Sequence, residues 1–123
     1  MNALAVAIAG ALGALARYGL GGLIANRNTS AFPLETFVIN VSGSFLLGLV
    51  FVVLTERFLP HPALRVSLTV GFLGAYTTFS TFSLETLRLI EDGAIGLAVA
   101  NVALSVVAGL VSVYLGTIIG RAV

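Results

Sequence analysis

Gly71-Phe72-Leu73-Gly74-Ala75-Tyr76-Thr77-Thr78-Phe79-Ser80-Thr81-Phe82 lies inside an uncharged run that extends from Val66 to Leu84. A run of this kind has the length of a bilayer crossing, which takes about 20 apolar residues. Its two halves disagree about conformation. The first is an apolar helix former, whereas the second is β-branched, aromatic and hydroxylated. Gly71 and Gly74 each lower helix stability by about 1 kcal/mol relative to Ala. Thr77 and Thr78 restrict χ1, and their hydroxyls compete for backbone groups. We therefore expect a helix broken near residues 75–78. Lipid offers no hydrogen bonds, so such a break is tolerated only where it is buried or lines a cavity, and it turns carbonyls and helix ends toward ions.

The rest of the chain sets this run in an all-α membrane protein. Of 123 residues, 59% are hydrophobic and 9% are charged, and the mean hydropathy is +1.11. An average soluble domain carries about 25% charged residues. Gaps between charges give four transmembrane helices, at about 3–26, 34–57, 63–90 and 93–120, in a single domain. Polar alternation suited to a membrane β-strand occurs only over 76–83. A net charge of +1 leaves no basic footprint for nucleic acid. The absence of Cys excludes disulfides, thiol catalysis and Cys-ligated metals. Ala14-Leu15-Ala16 resembles a signal-peptidase site, but Met1-Asn2 provides no positive n-region, so no cleavage is expected.

The connections are punctuated by helix breakers. Asn26 to Pro33 is a polar first loop, and Pro60-His61-Pro62 separates spans two and three. His61, between two prolines and without a second ligand nearby, reads as a loop residue. Glu91-Asp92-Gly93 marks the third loop, its acids placed to help start span four. Orientation normally follows an excess of Lys and Arg on the cytoplasmic side. Here Arg57, Arg65 and Arg121 lie toward one side and Arg17, Arg27 and Arg88 toward the other. This balance leads to the expectation of a chain inserted both ways and assembled as an antiparallel homodimer. Small residues suit close packing in lipid: Gly10, Gly13 and Ala14 in span one, Ser44-x-x-x-Gly48 in span two, and Ser112-x-x-x-Gly116-x-x-x-Gly120 in span four.

Polar groups inside the spans need a partner or a purpose. Asn101, Ser105, Gly109, Ser112, Gly116 and Gly120 fall on one stripe of span four, and Asn40 lies one turn from Thr36 and Ser44 on span two. These residues are neutral donors, joined by Ser80, Thr81 and the rings of Phe79 and Phe82. No Asp, Glu, Lys or His stands mid-span, so a proton-coupled carrier lacks a coupling residue. Ring edges carry partial positive charge and line an anion's path without binding it as Arg would. Hydroxyl and amide donors replace lost hydration in steps. Arg17, near the end of span one, is placed to draw anions into a vestibule or to snorkel.

The run Gly71 to Phe82 resembles the span-three signature of the small fluoride channels, the Fluc or CrcB family. Gly10-Ala11-Leu12-Gly13-Ala14-Leu15-Ala16-Arg17-Tyr18 and Asn40-Val41-Ser42-Gly43-Ser44-Phe45-Leu46-Leu47-Gly48 are similar to two further family blocks. The resemblance implies an antiparallel dual-topology homodimer in the cell inner membrane. It would carry two narrow pores that let fluoride, and not chloride, leave passively, and it would not be an enzyme. By matching position, Phe79 and Phe82 would be the pore phenylalanines and Asn40 a fluoride-facing donor. Ser80, Thr81, Ser105 and Ser112 would belong to the polar track, with Glu85 beside the pore end. The backbone carbonyls of Gly74 and Thr77 from both subunits would hold a structural Na⁺ at the dimer centre. Glu35 stands where Gly is more often expected, and Asn101 where some members carry Tyr.

Two other classes fit parts of the pattern. A small multidrug-type proton-coupled exporter also packs four helices into this length, but it needs a membrane-embedded acid, and span one has none. A structural membrane subunit without transport accounts for the small-residue packing and leaves the broken span and its donors without a role.

Overall fold

The computed structural model describes residues 2–58 and 60–123. Its elements are α1 (Asn2–Ala25), α2 (Leu34–Val52), α3 (Pro62–Val66), α4 (Gly74–Tyr76), α5 (Phe79–Glu91) and α6 (Ile95–Ala122), with π-helical segments at Val53–Arg57 and Ser67–Leu73. No strand occurs among the described residues. Ala3–Ala25, Leu34–Arg57 and Ile95–Ala122 are each long and apolar enough to cross a bilayer. The run expected to be the third crossing is made of pieces: α3, the π segment Ser67–Leu73 and α4, and then α5 beyond an extended Thr77-Thr78. At about 1.5 Å per residue α5 reaches only about 20 Å, short of a hydrocarbon core about 30 Å thick, so neither half crosses alone.

The π segments were not foreseen. They coincide with hydroxyls that bond a carbonyl one turn back. Thr55 donates to the Phe51 carbonyl at 2.7 Å, Ser67 to Ala63 at 2.7 Å and Thr69 to Arg65 at 2.9 Å. Such bonds compete with the regular helical ladder and bend it.

Loop chemistry follows the sequence in two places and departs from it in a third. Asn28 closes the first loop, donating to the Phe32 carbonyl at 2.8 Å and accepting from the Ser30 N–H at 3.1 Å. His61 caps α3, its Nδ1 accepting from the Ala63 N–H at 3.2 Å, with Pro62 in the first turn. The acids of the third loop do not start α6. Glu91 ends α5, and α6 has no acid in its first turn. The corner is made instead by Gly93 at φ 78°, a left-handed conformation that only Gly adopts cheaply. The Ala94 and Gly93 N–H groups bond back to the Leu89 and Ile90 carbonyls at 2.8 and 3.0 Å, a Schellman ending that satisfies the last carbonyls of α5.

Glycines set the close approaches. Gly116 of α6 lies on the Phe45 carbonyl and Gly48 of α2 on the Val113 carbonyl, so these helices meet backbone to backbone and form the most extensive interface. Gly13 of α1 lies on the Phe72 carbonyl, and Gly71 lies 2.9 Å, by its would-be Cβ, from the Val6 carbonyl. At one end Arg57 donates to the Arg121 carbonyl, and Arg121 pairs with Glu56 at 3.3 Å. At the other, Asn28, Glu35, Arg88 and Asp92 line one cavity, which brings the first and third loops together. Large apolar side chains such as Leu4, Ile8, Leu12, Leu15, Val107 and Leu110 cover the outside. A water-soluble fold would bury such a surface; this is a multi-pass membrane protein.

Candidate functional site

The site is built on the break. The Thr77 N–H still reaches the Leu73 carbonyl at 3.1 Å, and the chain then leaves the helix, with Thr77 at φ −81°, ψ 161° and Thr78 at φ −152°, ψ 110°. Asn40 meets the opened backbone with its whole amide. Its Oδ1 accepts from the Thr78 N–H at 2.8 Å, and its Nδ2 donates to the Thr78 carbonyl at 3.0 Å. The Thr78 hydroxyl restarts the helix as an N-cap, accepting from the Thr81 N–H at 3.3 Å and donating to Thr81 Oγ1 at 2.9 Å. On the other side of the break, Tyr76 Oη and Ser42 Oγ are 2.8 Å apart, and the Tyr76 ring stacks on Phe72 at 6.2 Å.

Asn40, Ser44, Gly74, Thr77, Phe79, Phe82 and Ser105 line a cleft of about 310 Å³ between α2, the broken span and α6. The two phenyl rings stand 5.6 Å apart and are tilted by 43°. They differ in setting: Phe82 is 9% exposed and packed, whereas Phe79 is 79% exposed on the outer face. Behind Phe82 runs a chain of polar groups. Ser105 reaches Asn101 Oδ1 at 3.4 Å, Asn101 Nδ2 donates to Thr86 at 2.9 Å, and Thr86 donates to the Phe82 carbonyl at 2.8 Å. Asn101 is 1% exposed, and its partners meet the requirement that a buried amide be hydrogen-bonded.

A sequence profile described as "CrcB-like protein, Camphor Resistance (CrcB)" matches residues 4–117. The chain belongs to the CrcB-like family. It is 46% identical over 121 residues to a Solibacter usitatus protein named fluoride-specific ion channel FluC, which covers 98% of this chain and 99% of that one. It is 48% identical to proteins of the same name from Geotalea uraniireducens, over 117 residues and 95% and 94% of the two chains, and from Acidobacterium capsulatum, over 121 residues and 98% and 97%. The matched segment runs from α1 into α6 and therefore contains the break and the cleft of this CrcB-like chain.

Of the residues singled out from sequence, Asn40, Phe79, Phe82 and Ser105 share the cleft with Gly74 and Thr77. Others stand apart. Ser80 is exposed outside it. Ser112 lines a different, largely apolar cavity with Phe37, Val41, Ser42 and Phe45. Arg17 lies with Tyr18, Glu35, Thr36, Thr78 and Thr81 along a groove of about 820 Å³, and Thr78 borders both this groove and the cleft. Glu85 accepts from Thr36 at 2.8 Å, its second oxygen is buried without a partner, and it borders the end cavity between the first and third loops. The pairing of Thr78 with Asn40 and the role of Thr86 are not legible from the sequence. Each residue acts through a partner on another span, and spacing within one helix carries no signal for that.

Proposed function

We propose that the protein is a fluoride-selective channel whose passive conduction lets fluoride leave the cell and so lowers its cytoplasmic level and toxicity. The observation that carries this reading is the cleft itself: the Asn40 amide, the hydroxyl residues Ser44, Thr77 and Ser105 and two phenyl rings around a helix break, without a fixed charge, in a chain 46–48% identical to proteins named fluoride-specific ion channels. An anion there meets N–H and O–H donors and ring edges, which replace its water at weak positions in series. α5 begins beside Phe79, where first-turn N–H groups lack helical partners and the helix end is partly positive. Arg17 raises the local anion concentration in the groove that meets the cleft at Thr78. Thr81 lines that groove with Arg17; Ser80 and Ser112 stand outside the cleft and join the polar track only through the family resemblance, and Glu85 marks its end.

The working unit is an antiparallel, dual-topology homodimer in the inner membrane. Supporting this are the even split of six Arg between the two sides and the exposed face that carries Phe79, Gly74 and Ser80, which gives one wall of a path that a second copy completes. A structural Na⁺ fits the same face. In an unbroken helix the Thr78 and Thr81 N–H groups would close on the Gly74 and Thr77 carbonyls, but here they are taken by Asn40 and by the Thr78 hydroxyl, leaving two carbonyl oxygens per copy for a cation. When bound, the ion supplies positive charge that ties the two copies at their breaks. Purified protein in liposomes loaded with fluoride or chloride decides the reading: ion-selective electrodes should record fast electrogenic loss of fluoride and retention of chloride, and equal loss of both, or of neither, refutes it.

A further inference from the structure

Asn40 meets the backbone of Thr78 at both of its polar groups, and the orientation of its amide is fixed by chemistry. The Thr78 N–H can only donate and its carbonyl can only accept, so Oδ1 faces the first at 2.8 Å and Nδ2 the second at 3.0 Å. Two of the amide's roles are thereby used, and one N–H hydrogen remains, on a side chain that lines the cleft beside Phe79 and Phe82. The neighbouring residues of α2 also meet the break. Ser42 holds the Tyr76 hydroxyl at 2.8 Å, and the missing side chain of Gly43 leaves room for the Thr77 methyl.

We propose that Asn40 is the positioning residue that keeps the third span broken: by taking the Thr78 N–H it frees the Gly74 carbonyl from helical pairing, and only its remaining N–H faces the conduction path. The residue thus joins the cation site to the anion path, although it touches no cation. An apolar side chain at 40 leaves the Thr78 N–H unpartnered at membrane depth. The nearest acceptor along the chain is then the Gly74 carbonyl, and its capture extends α4 toward α5 and rotates Phe79 and Phe82 with it. Asn suits this position because it has an acceptor, a donor for the backbone and a second donor to spare on one short, planar group. Flux as a readout rests on the fluoride-channel reading; the hydrogen-exchange readout does not.

The wild-type protein and Asn40→Ala, in lipid nanodiscs, are compared by amide hydrogen exchange at Thr78 and by thermal unfolding in Na⁺ against a bulky organic cation. In the wild type the Thr78 amide should be protected and Na⁺ should raise the unfolding temperature. In Asn40→Ala the Na⁺ response should vanish and Thr78 should exchange about tenfold faster, or show a shift toward helical chemical shifts at 77–78. A wild-type measurement stands even where the variant fails to fold: one Asn40 Nδ2 hydrogen should exchange slowly and ignore added fluoride, and the other should exchange fast and shift with it. Unchanged Thr78 protection together with an unchanged Na⁺ response in Asn40→Ala overturns the proposal, as do two equivalent, unprotected Nδ2 hydrogens in the wild type. Absent fluoride flux with these signatures intact counts against the channel reading and leaves the role of Asn40 standing.

Discussion

Gly116→Ala adds one methyl group at the closest approach of α6 to α2. The new Cβ would overlap the Phe45 carbonyl oxygen and fall 2.9 Å from the Leu49 nitrogen and 3.1 Å from the Phe45 carbonyl carbon, where ordinary contact begins at 3.4 Å. All three atoms are backbone, so no side chain can swing aside and the helices must separate by 0.5 Å or more. A gap of that size forfeits a quarter to a half of the dispersion energy of the atom pairs it opens. For on the order of 30 pairs at about 0.1–0.2 kcal/mol each, the loss is about 1–2 kcal/mol. Measured costs of overpacking, about 1–3 kcal/mol, agree. Gly96→Ala is the matched control. Its Cβ meets nothing within 4 Å, so the substitution gains only helix propensity, up to about 1 kcal/mol. Equilibrium unfolding in mixed detergent micelles, followed by helical circular dichroism, should place the two variants on opposite sides of the wild type. Equal stability of Gly116→Ala and Gly96→Ala would refute backbone-to-backbone packing of α2 on α6.

The two phenylalanines should separate stability from conduction. Ring-edge contacts are worth about 0.5–1.5 kcal/mol, so Phe79→Ile and Phe82→Ile should each slow fluoride efflux by up to about tenfold. Only Phe82→Ile, at the packed ring, should also lower the unfolding midpoint. Wild-type flux with both rings removed would exclude the aromatic path. A reporter fused after Val123 should register on both sides of the membrane in comparable amounts, given the three-to-three division of Arg; a signal from one side alone would exclude dual insertion.

The break was legible in the sequence because its cause is local: two glycines followed by two threonines within one apolar run. The clean α2–α6 contact was legible in part, since Gly48, Gly116 and Gly120 stand at helical spacing. What escaped depends on register between spans. Nothing in the spacing of Thr36 on α2 and Glu85 on α5 announces their 2.8 Å bond, and Asn101 looked like a member of a packing stripe until Thr86 came within 2.9 Å of it. The same limit explains Ser112. It shares a helical face with Ser105, yet α6 carries it two turns along, past the cleft and against Phe37 and Phe45. The acids Glu91 and Asp92 invited a dipole argument for α6, but Gly93 ends α5 first and separates them from it.

The most direct measurement is the reversal potential of purified protein in a planar bilayer with fluoride on one side and chloride on the other, Na⁺ being equal on both. The cleft of neutral donors and ring edges predicts a reversal potential far toward the fluoride equilibrium potential, with no measurable chloride current. A reversal potential near zero, or one that follows a Na⁺ gradient instead, would contradict fluoride-selective conduction.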